Sequence, residues 1–294
     1  MSAIDPKEVE AGADLICDLL RGDKPFFVGR NGTIEVETVQ HWLARAHPYA
    51  PHIKEQIQRN AGVFPASETF IDAWAAAYTT ALGALNSTAA GWYKPMERVE
   101  YQMLKVLAPN AVHHPLRSLE PYYVEAGKRW TQHLAGRKVA VVSSFTGTIR
   151  RQIPKMDRVW KGAYAGLIPE GVEWSFVQTG YSPLLALGKN GSWPEGITSW
   201  QLAVDSVVQR VVATGAEIAL VGCGGLGMII GGRLRELGIS TILLGGAIQV
   251  LFGVKGKRWA SHGFISGLWN EDWVWPAAEE VPAGAGQVEG GCYW

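Results

Sequence analysis

The chain has 294 residues, of which 47% are hydrophobic and 18% charged, and its 27 basic residues balance 27 acidic ones. This composition excludes an intrinsically disordered protein, because such chains have few apolar residues and a high net charge. It also argues against a dedicated nucleic-acid binder, which usually carries a basic surplus. A chain of this length forms one large domain or two small ones.

The three cysteines, Cys17, Cys223 and Cys292, are far apart and form no Cys-x-x-Cys pair. This pattern indicates neither a disulfide framework nor a zinc site, and it favours a reducing compartment. Charged residues interrupt segment 1–14, where a signal peptide would need an apolar run. The most apolar stretch, 218–230, is too short to span a membrane. We therefore expect a cytoplasmic protein.

The first half of the chain predicts helices and one strand. Asp5 precedes Pro6 and stands three residues before Glu8, which is the pattern of a capping box at a helix start. The apolar run 25–29 predicts a buried strand that ends before Arg30. Three further helices are predicted where apolar residues recur at spacings of three and four: 36–46, 67–86 and 96–107.

The second half predicts a parallel sheet. Segment 138–144 is a continuous β-branched run, which is typical of a strand buried on both faces. Thr198 begins a second capping box, and the helix it opens ends at Gly215. A strand, a glycine turn, a helix and another strand then follow over 217–244, which is a βαβ unit. We expect an α/β fold, a Rossmann-like parallel sheet with helices on both faces and a helical N-terminal portion.

We expect a single domain with three portions. Residues 1–134 form the helical portion and carry a first glycine turn. Residues 135–275 form the Rossmann-like portion. Residues 276–294 are rich in proline, glycine and glutamate and predict an extended tail over the surface.

The turn Gly222-Cys223-Gly224-Gly225-Leu226-Gly227 matches the G-x-G-x-x-G pattern of dinucleotide-binding folds. That pattern also requires an acidic residue at the end of the next strand, where this chain has Leu243-Leu244-Gly245-Gly246 instead. NAD is therefore not expected. Two interpretations stay open, a helix N-terminus that binds phosphate through backbone N–H groups and close packing of a helix on a strand.

A second turn, Gly29 to Glu35, also follows a predicted strand and opens a helix. An arginine, free amides and a carboxylate at the carboxyl end of a parallel strand are suited to a nucleotide diphosphate. The same residues are also expected without any ligand, if Arg30 is a surface residue and Glu35 is a first-turn residue that the helix dipole stabilises.

The order of these motifs resembles that of the GT-D glycosyltransferases, a family with a Rossmann-like domain and nucleotide-sugar donors. Its Arg-x-Gly-Asp-x-Glu signature is similar to residues 30–35, its Gly-Ala-Leu-Gly-like turn to residues 224–227, and its Ser-Pro-Phe-like turn with a downstream Gln to residues 143–145 with Gln152. Further segments resemble a subgroup of uncharacterised bacterial and large-virus relatives: 60–62, 119–123, 245–246 with Gln249, 252–253, 256–259 and 289–294.

The resemblance implies an enzyme that moves a hexose-type sugar from a nucleoside diphosphate, such as UDP, to a glycan or other hydroxyl acceptor. The residues it implies for the nucleotide-sugar site are Arg30, Gly32, Thr33, Ser144, Gly224, Gly225, Leu226, Gly246, Gln249, Lys257 and Arg258. Trp92 and Trp259 are expected to stack on acceptor sugars. We expect no nucleic-acid partner and no membrane span, and self-association is left open.

One departure from the family concerns a metal. Thr33 stands where the family has the Asp of Asp-x-Glu, so a first carboxylate ligand is lost. Two alternatives follow. In the first, Glu35 holds Mn²⁺ or Mg²⁺ weakly with help from Glu37. In the second, fixed cationic side chains take the place of the metal. The candidate cations are Lys255, Lys257 and Arg258.

Transfer to a hydroxyl by inversion also needs a general base. Glu120 is the first candidate, with Glu35 as the other catalytic carboxylate, and Asp72 and Glu271 are alternatives to Glu120. The adjacent pair His113-His114 is not expected to bind a metal, because neighbouring side chains on extended chain point in different directions.

Two other functions stay open. A nicotinamide-dependent oxidoreductase would follow from the G-x-G-x-x-G match. A catalytically silent glycan-binding protein would follow from loss of the metal-binding Asp.

Overall fold

A computed structural model describes residues 5–91, 93–288 and 290–294. It contains a seven-stranded sheet in the order β3-β2-β1-β7-β6-β4-β5, in which every pair of neighbours is parallel. The strands are β1 (Phe27–Arg30), β2 (Ser87–Ala89), β3 (Val112–His114), β4 (Lys138–Ser143), β5 (Glu173–Gln178), β6 (Ile218–Gly222) and β7 (Ser240–Leu243). The predicted α/β, Rossmann-like fold is confirmed.

Helices cover both faces of this sheet, and several are linked by short 3₁₀ turns. They are α1 (Pro6–Arg21), α2 (Thr33–Leu43), α3 (Pro51–Arg59), α4 (Glu68–Gly83), α5 (Lys94–Leu107), α6 (Leu116–Leu119), α7 (Thr146–Gln152), α8 (Met156–Val159), α9 (Pro183–Ala186), α10 (Trp200–Ala213), α11 (Gly227–Glu236), α12 (Ala247–Leu251), α13 (Lys257–Ala260) and α14 (Gly263–Gly267).

Alternate strand residues contribute to two separate hydrophobic cores. In β4, Ala140 and Val142 face a core shared with α2–α5, α10 and α11, which we call the α2 face. Val139 and Val141 face a core shared with α1, α6–α9 and α12–α14, which we call the α12 face. The period of two in a strand produces this division, and it explains why the predicted strands are continuously apolar.

The predicted helix starts are largely correct. Asp5 Oδ1 accepts a hydrogen bond from the Lys7 N–H at 2.9 Å. At α10 the cap is Ser199 rather than Thr198, since Ser199 Oγ accepts from the Leu202 N–H at 3.4 Å. The helix predicted over 36–46 begins earlier, at Thr33, and ends at Leu43.

Two expectations about the chain ends differ from the structure. The N-terminal portion supplies β2 and β3 in addition to the predicted strand β1. Strands β2 and β3 have three residues each and little apolar character, so they left no signal in the sequence. The tail is not extended over the surface: it forms 3₁₀ turns at Ala278–Glu280 and Ala285–Gln287 and buries Trp294 in the core of the α12 face.

Glu280 anchors this tail to the sheet. Its carboxylate accepts hydrogen bonds from the N–H groups of Gly147 at 2.7 Å and Thr148 at 3.1 Å. These amides belong to the first turn of α7, which has no other side-chain cap. A carboxylate at this position is also favoured by the helix dipole.

Within the described residues, none of the helices combines the length and the apolar character needed to cross a membrane.

Candidate functional site

A cavity of about 600 Å³ lies at the carboxyl edge of the sheet. Its floor is formed by the ends of five adjacent strands, at Arg30, Leu243, Gly222, Ser143 and Thr179. The cavity opens there because α2 leaves β1 toward one face while α12 leaves the neighbouring β7 toward the other. Four strand spacings of about 4.8 Å give the floor a length of about 19 Å.

The turn between β1 and α2 is held by a buried polar network. Asn31 Nδ2 donates to Glu100 Oε1 at 2.9 Å, and Tyr78 Oη donates to Asn31 Oδ1 at 2.8 Å. The second Glu100 oxygen accepts from the Gly91 N–H at 2.9 Å. This network fixes the backbone next to Arg30, and so it fixes the point from which that side chain enters the cavity.

Arg30 lines the cavity beside the turn that follows β7. A Cβ on Gly245 would lie 2.9 Å from Arg30 Nη1, and Gly245 has a φ of +58°. Glycine is needed at this position both for the left-handed backbone and for the approach of the guanidinium.

Among the described residues, the Arg30 side chain forms neither a hydrogen bond nor an ion pair within 4 Å. Its charge nevertheless acts on three carboxyl groups. Burial raises the pKa of Glu35 and of Glu100, and the Arg30 guanidinium partly opposes both shifts. Burial likewise raises the pKa of Glu120 to about 7, again opposed by Arg30. The guanidinium therefore keeps most of its hydrogen-bonding capacity for a ligand.

Glu35 caps its own helix. It is the third residue of α2, and its carboxylate bends back over Gly32 into the space that a Cβ would fill there. Its own backbone N–H donates to it. The N–H groups of Thr33 and Ile34 have no acceptor among the described residues, so they are available to a ligand.

These residues offer a divalent metal few ligands. The Glu35 carboxylate is engaged in capping, and Thr33 offers only a neutral hydroxyl. In the described part of the chain, no three His, Cys, Asp or Glu side chains are grouped so that they could hold a metal ion. Mg²⁺ and Mn²⁺ prefer carboxylate oxygens.

The glycine-rich turn after β6 packs against protein. The Gly225 N–H donates to the Ala61 carbonyl at 2.7 Å, and a Cβ on Gly224 would lie 2.8 Å from that oxygen. A Cβ on Gly227 would lie 2.6 Å from the Leu243 side chain. The G-x-G-x-x-G match therefore reflects close packing, and segment 60–62 lies where a dinucleotide phosphate would approach.

The structure brings most of the predicted nucleotide-sugar residues to one cavity. Those that line it are Arg30, Gly32, Thr33, Ser144, Gly224, Leu226, Gly246, Gln249 and Arg258, and the predicted catalytic Glu35 lines it as well. Gly225 and Lys257 do not line it. Of the proposed cations, only Arg258 reaches the wall, since Lys255 Nζ lies over the Trp269 ring at 5.5 Å. The Arg258 guanidinium lies over the Tyr293 ring at 4.6 Å.

The candidate bases do not reach the cavity. Glu120 is half-buried at the end of α6, near Arg30 and Tyr122, but it is not part of the wall. Asp72 accepts a hydrogen bond from Tyr49 Oη at 2.7 Å, and Glu271 from Lys161 Nζ at 2.6 Å, both away from the cavity.

The structure also shows where Trp259 and His114 lie. Trp259 is only 7% exposed and packs against Gly256 and Tyr293, so it cannot stack on a sugar. Trp92 lies outside the described residues. His114 is buried, and burial lowers its pKa to about 4.

Several wall residues were not identified in the sequence. Arg59 adds charge, so that with Glu35 and the already named Glu37 the wall carries three arginines and two glutamates. Trp193, Tyr181 and Trp294 add aromatic surface. They come from separate loops and from the tail, and no local pattern relates them to the strand ends.

No family model matches the chain, and no curated protein or solved structure matches it.

Proposed function

We propose that the cavity binds the diphosphate of a nucleotide sugar and that the protein transfers the sugar to a hydroxyl acceptor. One observation carries this proposal. The half-buried Arg30 has no hydrogen-bonding partner among the described residues, and it lies at the carboxyl end of a parallel strand beside the first turn of α2.

The β1 end of the cavity has the chemistry that phosphates require. A guanidinium presents a planar fork of donors that matches two phosphate oxygens. The Thr33 and Ile34 amides add donors at the positive end of the α2 dipole. Arg258 gives the wall a second guanidinium beside Gly246, the residue after the Gly245 that Arg30 approaches. Burial raises the pKa of the nearby Glu35 carboxyl, which lessens the negative charge that a bound phosphate would meet there.

The same groups would assist the chemical step. When the bond between the sugar and the diphosphate breaks, negative charge develops on the leaving phosphate oxygen. Arg30 and the α2 amides are fixed donors that stabilise this charge. The acceptor hydroxyl must lose a proton, and Glu37 is the better placed carboxylate to take it. Its side chain is 36% exposed on the wall, whereas Glu35 caps α2.

Calorimetric titration with pyrophosphate, UDP, GDP and NADH tests the proposal, with and without EDTA. We expect one nucleoside diphosphate to bind the wild type, in EDTA as well as in Mn²⁺. Arg30→Gln should weaken this binding about 100-fold, the effect of losing about 3 kcal/mol of charged hydrogen bonding. Arg30→Lys should weaken it less, because the charge remains. Arg98→Gln, at an exposed arginine, is the matched control.

Activity distinguishes the remaining alternatives. Release of nucleoside diphosphate from a donor sugar in the presence of acceptor should fall in Glu37→Gln with little change in donor affinity. Tight NADH binding without affinity for nucleoside diphosphates would instead indicate an oxidoreductase. Donor binding with no release for any acceptor or metal condition would indicate a silent sugar-binding protein.

A further inference from the structure

The two ends of the cavity differ in chemistry. The β1 end carries Arg30, Glu35, Glu37 and Arg258. The β5 end is lined by Thr179–Ser182 and Trp193, none of which is charged, and Arg59 adds one further guanidinium to the wall next to Asn60. A ligand that fills the whole length therefore has one anionic part and one neutral, ring-containing part.

Four cavity-lining residues carry a buried side-chain polar atom that lacks a partner in the described part of the chain: Arg59, Asn60, Trp193 and Gln249. Asn60 Oδ1 is an acceptor, and Trp193 Nε1 is a donor. Both residues line the cavity. A buried polar atom without a hydrogen bond costs about 1–3 kcal/mol, so a ligand that pairs with these atoms gains that energy.

Contacts within the protein hold the Asn60 backbone and the Trp193 ring in place. The Asn60 backbone is next to Ala61, whose carbonyl accepts from Gly225 at 2.7 Å at the end of β6. The Trp193 ring packs over Gly180, where a Cβ would lie 2.7 Å from it, and against Phe64 with ring centroids 6.3 Å apart. Their positions follow from the fold and do not require a ligand to form.

We infer that the β5 end binds the nucleoside of the donor, so that the diphosphate points toward Arg30 and the sugar toward Glu37. This inference rests on the proposed function. Asn60 precedes Ala61, which contacts the turn after β6, and Trp193 packs over Gly180, just after the end of β5. A neutral heterocycle with N–H and carbonyl groups suits an uncharged aromatic site that offers one acceptor and one donor.

The test compares ligands that contain one or both parts: pyrophosphate, uridine, guanosine, UDP, GDP and UDP-glucose. Trp193→Phe removes the indole N–H and keeps an aromatic ring, and Asn60→Ala removes the acceptor. Each should weaken binding of the preferred nucleoside diphosphate about tenfold, the effect of one hydrogen bond, and leave pyrophosphate affinity unchanged. Trp269→Phe and Gln201→Ala are matched controls, because Trp269 Nε1 and Gln201 Oε1 are also buried and unpaired but lie off the cavity.

The outcomes separate this inference from the proposed function. If pyrophosphate binds the wild type as tightly as any nucleoside diphosphate, or if the two variants leave nucleoside diphosphate affinity unchanged, the inference is wrong and the phosphate site stands. If the variants weaken only UDP-glucose, the ligand lies in the reverse direction. If pyrophosphate affinity falls equally together with the melting temperature, Trp193 and Asn60 are structural. If no diphosphate binds the wild type, both proposals are wrong.

Discussion

Replacing Glu120 with glutamine should make the protein more stable above neutral pH and leave it unchanged in acid. Burial raises the pKa of this carboxyl from its ordinary value of 4.5 to about 7, against the opposing charge of Arg30. The folded chain therefore holds the proton more tightly than the unfolded chain does. Stability from this group is fully present below pH 4.5 and is lost as the pH rises through 7.

The size of the effect follows from the shift in pKa. At 1.36 kcal/mol for each pH unit, the ionised Glu120 costs the folded state about 3 kcal/mol relative to the unfolded state. Glutamine has nearly the same shape and does not ionise. The free energy of unfolding of Glu120→Gln should therefore exceed that of the wild type by up to about 3 kcal/mol at pH 8 and match it near pH 4.

Urea unfolding at several pH values between 4 and 8 measures this difference directly. Glu125→Gln is the control, because Glu125 is an exposed glutamate in the same region. Parallel pH profiles for Glu120→Gln and the wild type would refute the reasoning, and so would a variant less stable than the wild type at pH 8. In the latter case the attraction between the Glu120 carboxylate and the charge of Arg30 outweighs the cost of burial.

Three further outcomes are expected. Gly224→Ala should lower stability by about 2 kcal/mol or more, measured as a fall in melting temperature. The φ of Gly224 is +48°, and the new Cβ would press on the Ala61 carbonyl. Gly263→Ala is the control and should change little, because a Cβ there meets no atom within 4 Å. Glu280→Ala should cost about 2 kcal/mol in urea unfolding, since it leaves two amides of α7 without an acceptor. Gly245→Ala should weaken diphosphate binding in a titration by displacing Arg30, and unchanged affinity would separate Arg30 from the site.

Much of the fold could be predicted from local patterns. The strands at β1, β4, β6 and β7 are apolar because both of their faces are buried, and this feature does not depend on which strands become neighbours. Helix starts at Asp5 and near Ser199 follow from side chains that bond to amides two or three residues away. Strands β2 and β3 could not be predicted, since each is short and is defined by pairing with its neighbour.

The site was predicted in part for the same reason. Arg30, Gly32 and Thr33 stand directly after the predicted strand 25–29, so the local sequence is enough to place them at its carboxyl end. Glu120 was selected for its sequence neighbours, but the path of the chain after β3 places it beside Arg30 and off the cavity wall.

The sequence by itself determined the secondary structure that carries the site and the strand-to-helix turns around it, because capping, glycine geometry and apolar periodicity act over a few residues. Only the tertiary structure decided what those turns face. The glycines after β6 contact the Ala61 carbonyl, and Trp193 packs at the end of β5. The tail packs beside the cavity, held to α7 by its own Glu280. Each of these depends on contacts between residues far apart in the chain, and no pattern in a local segment encodes which distant atom fills the space beside it.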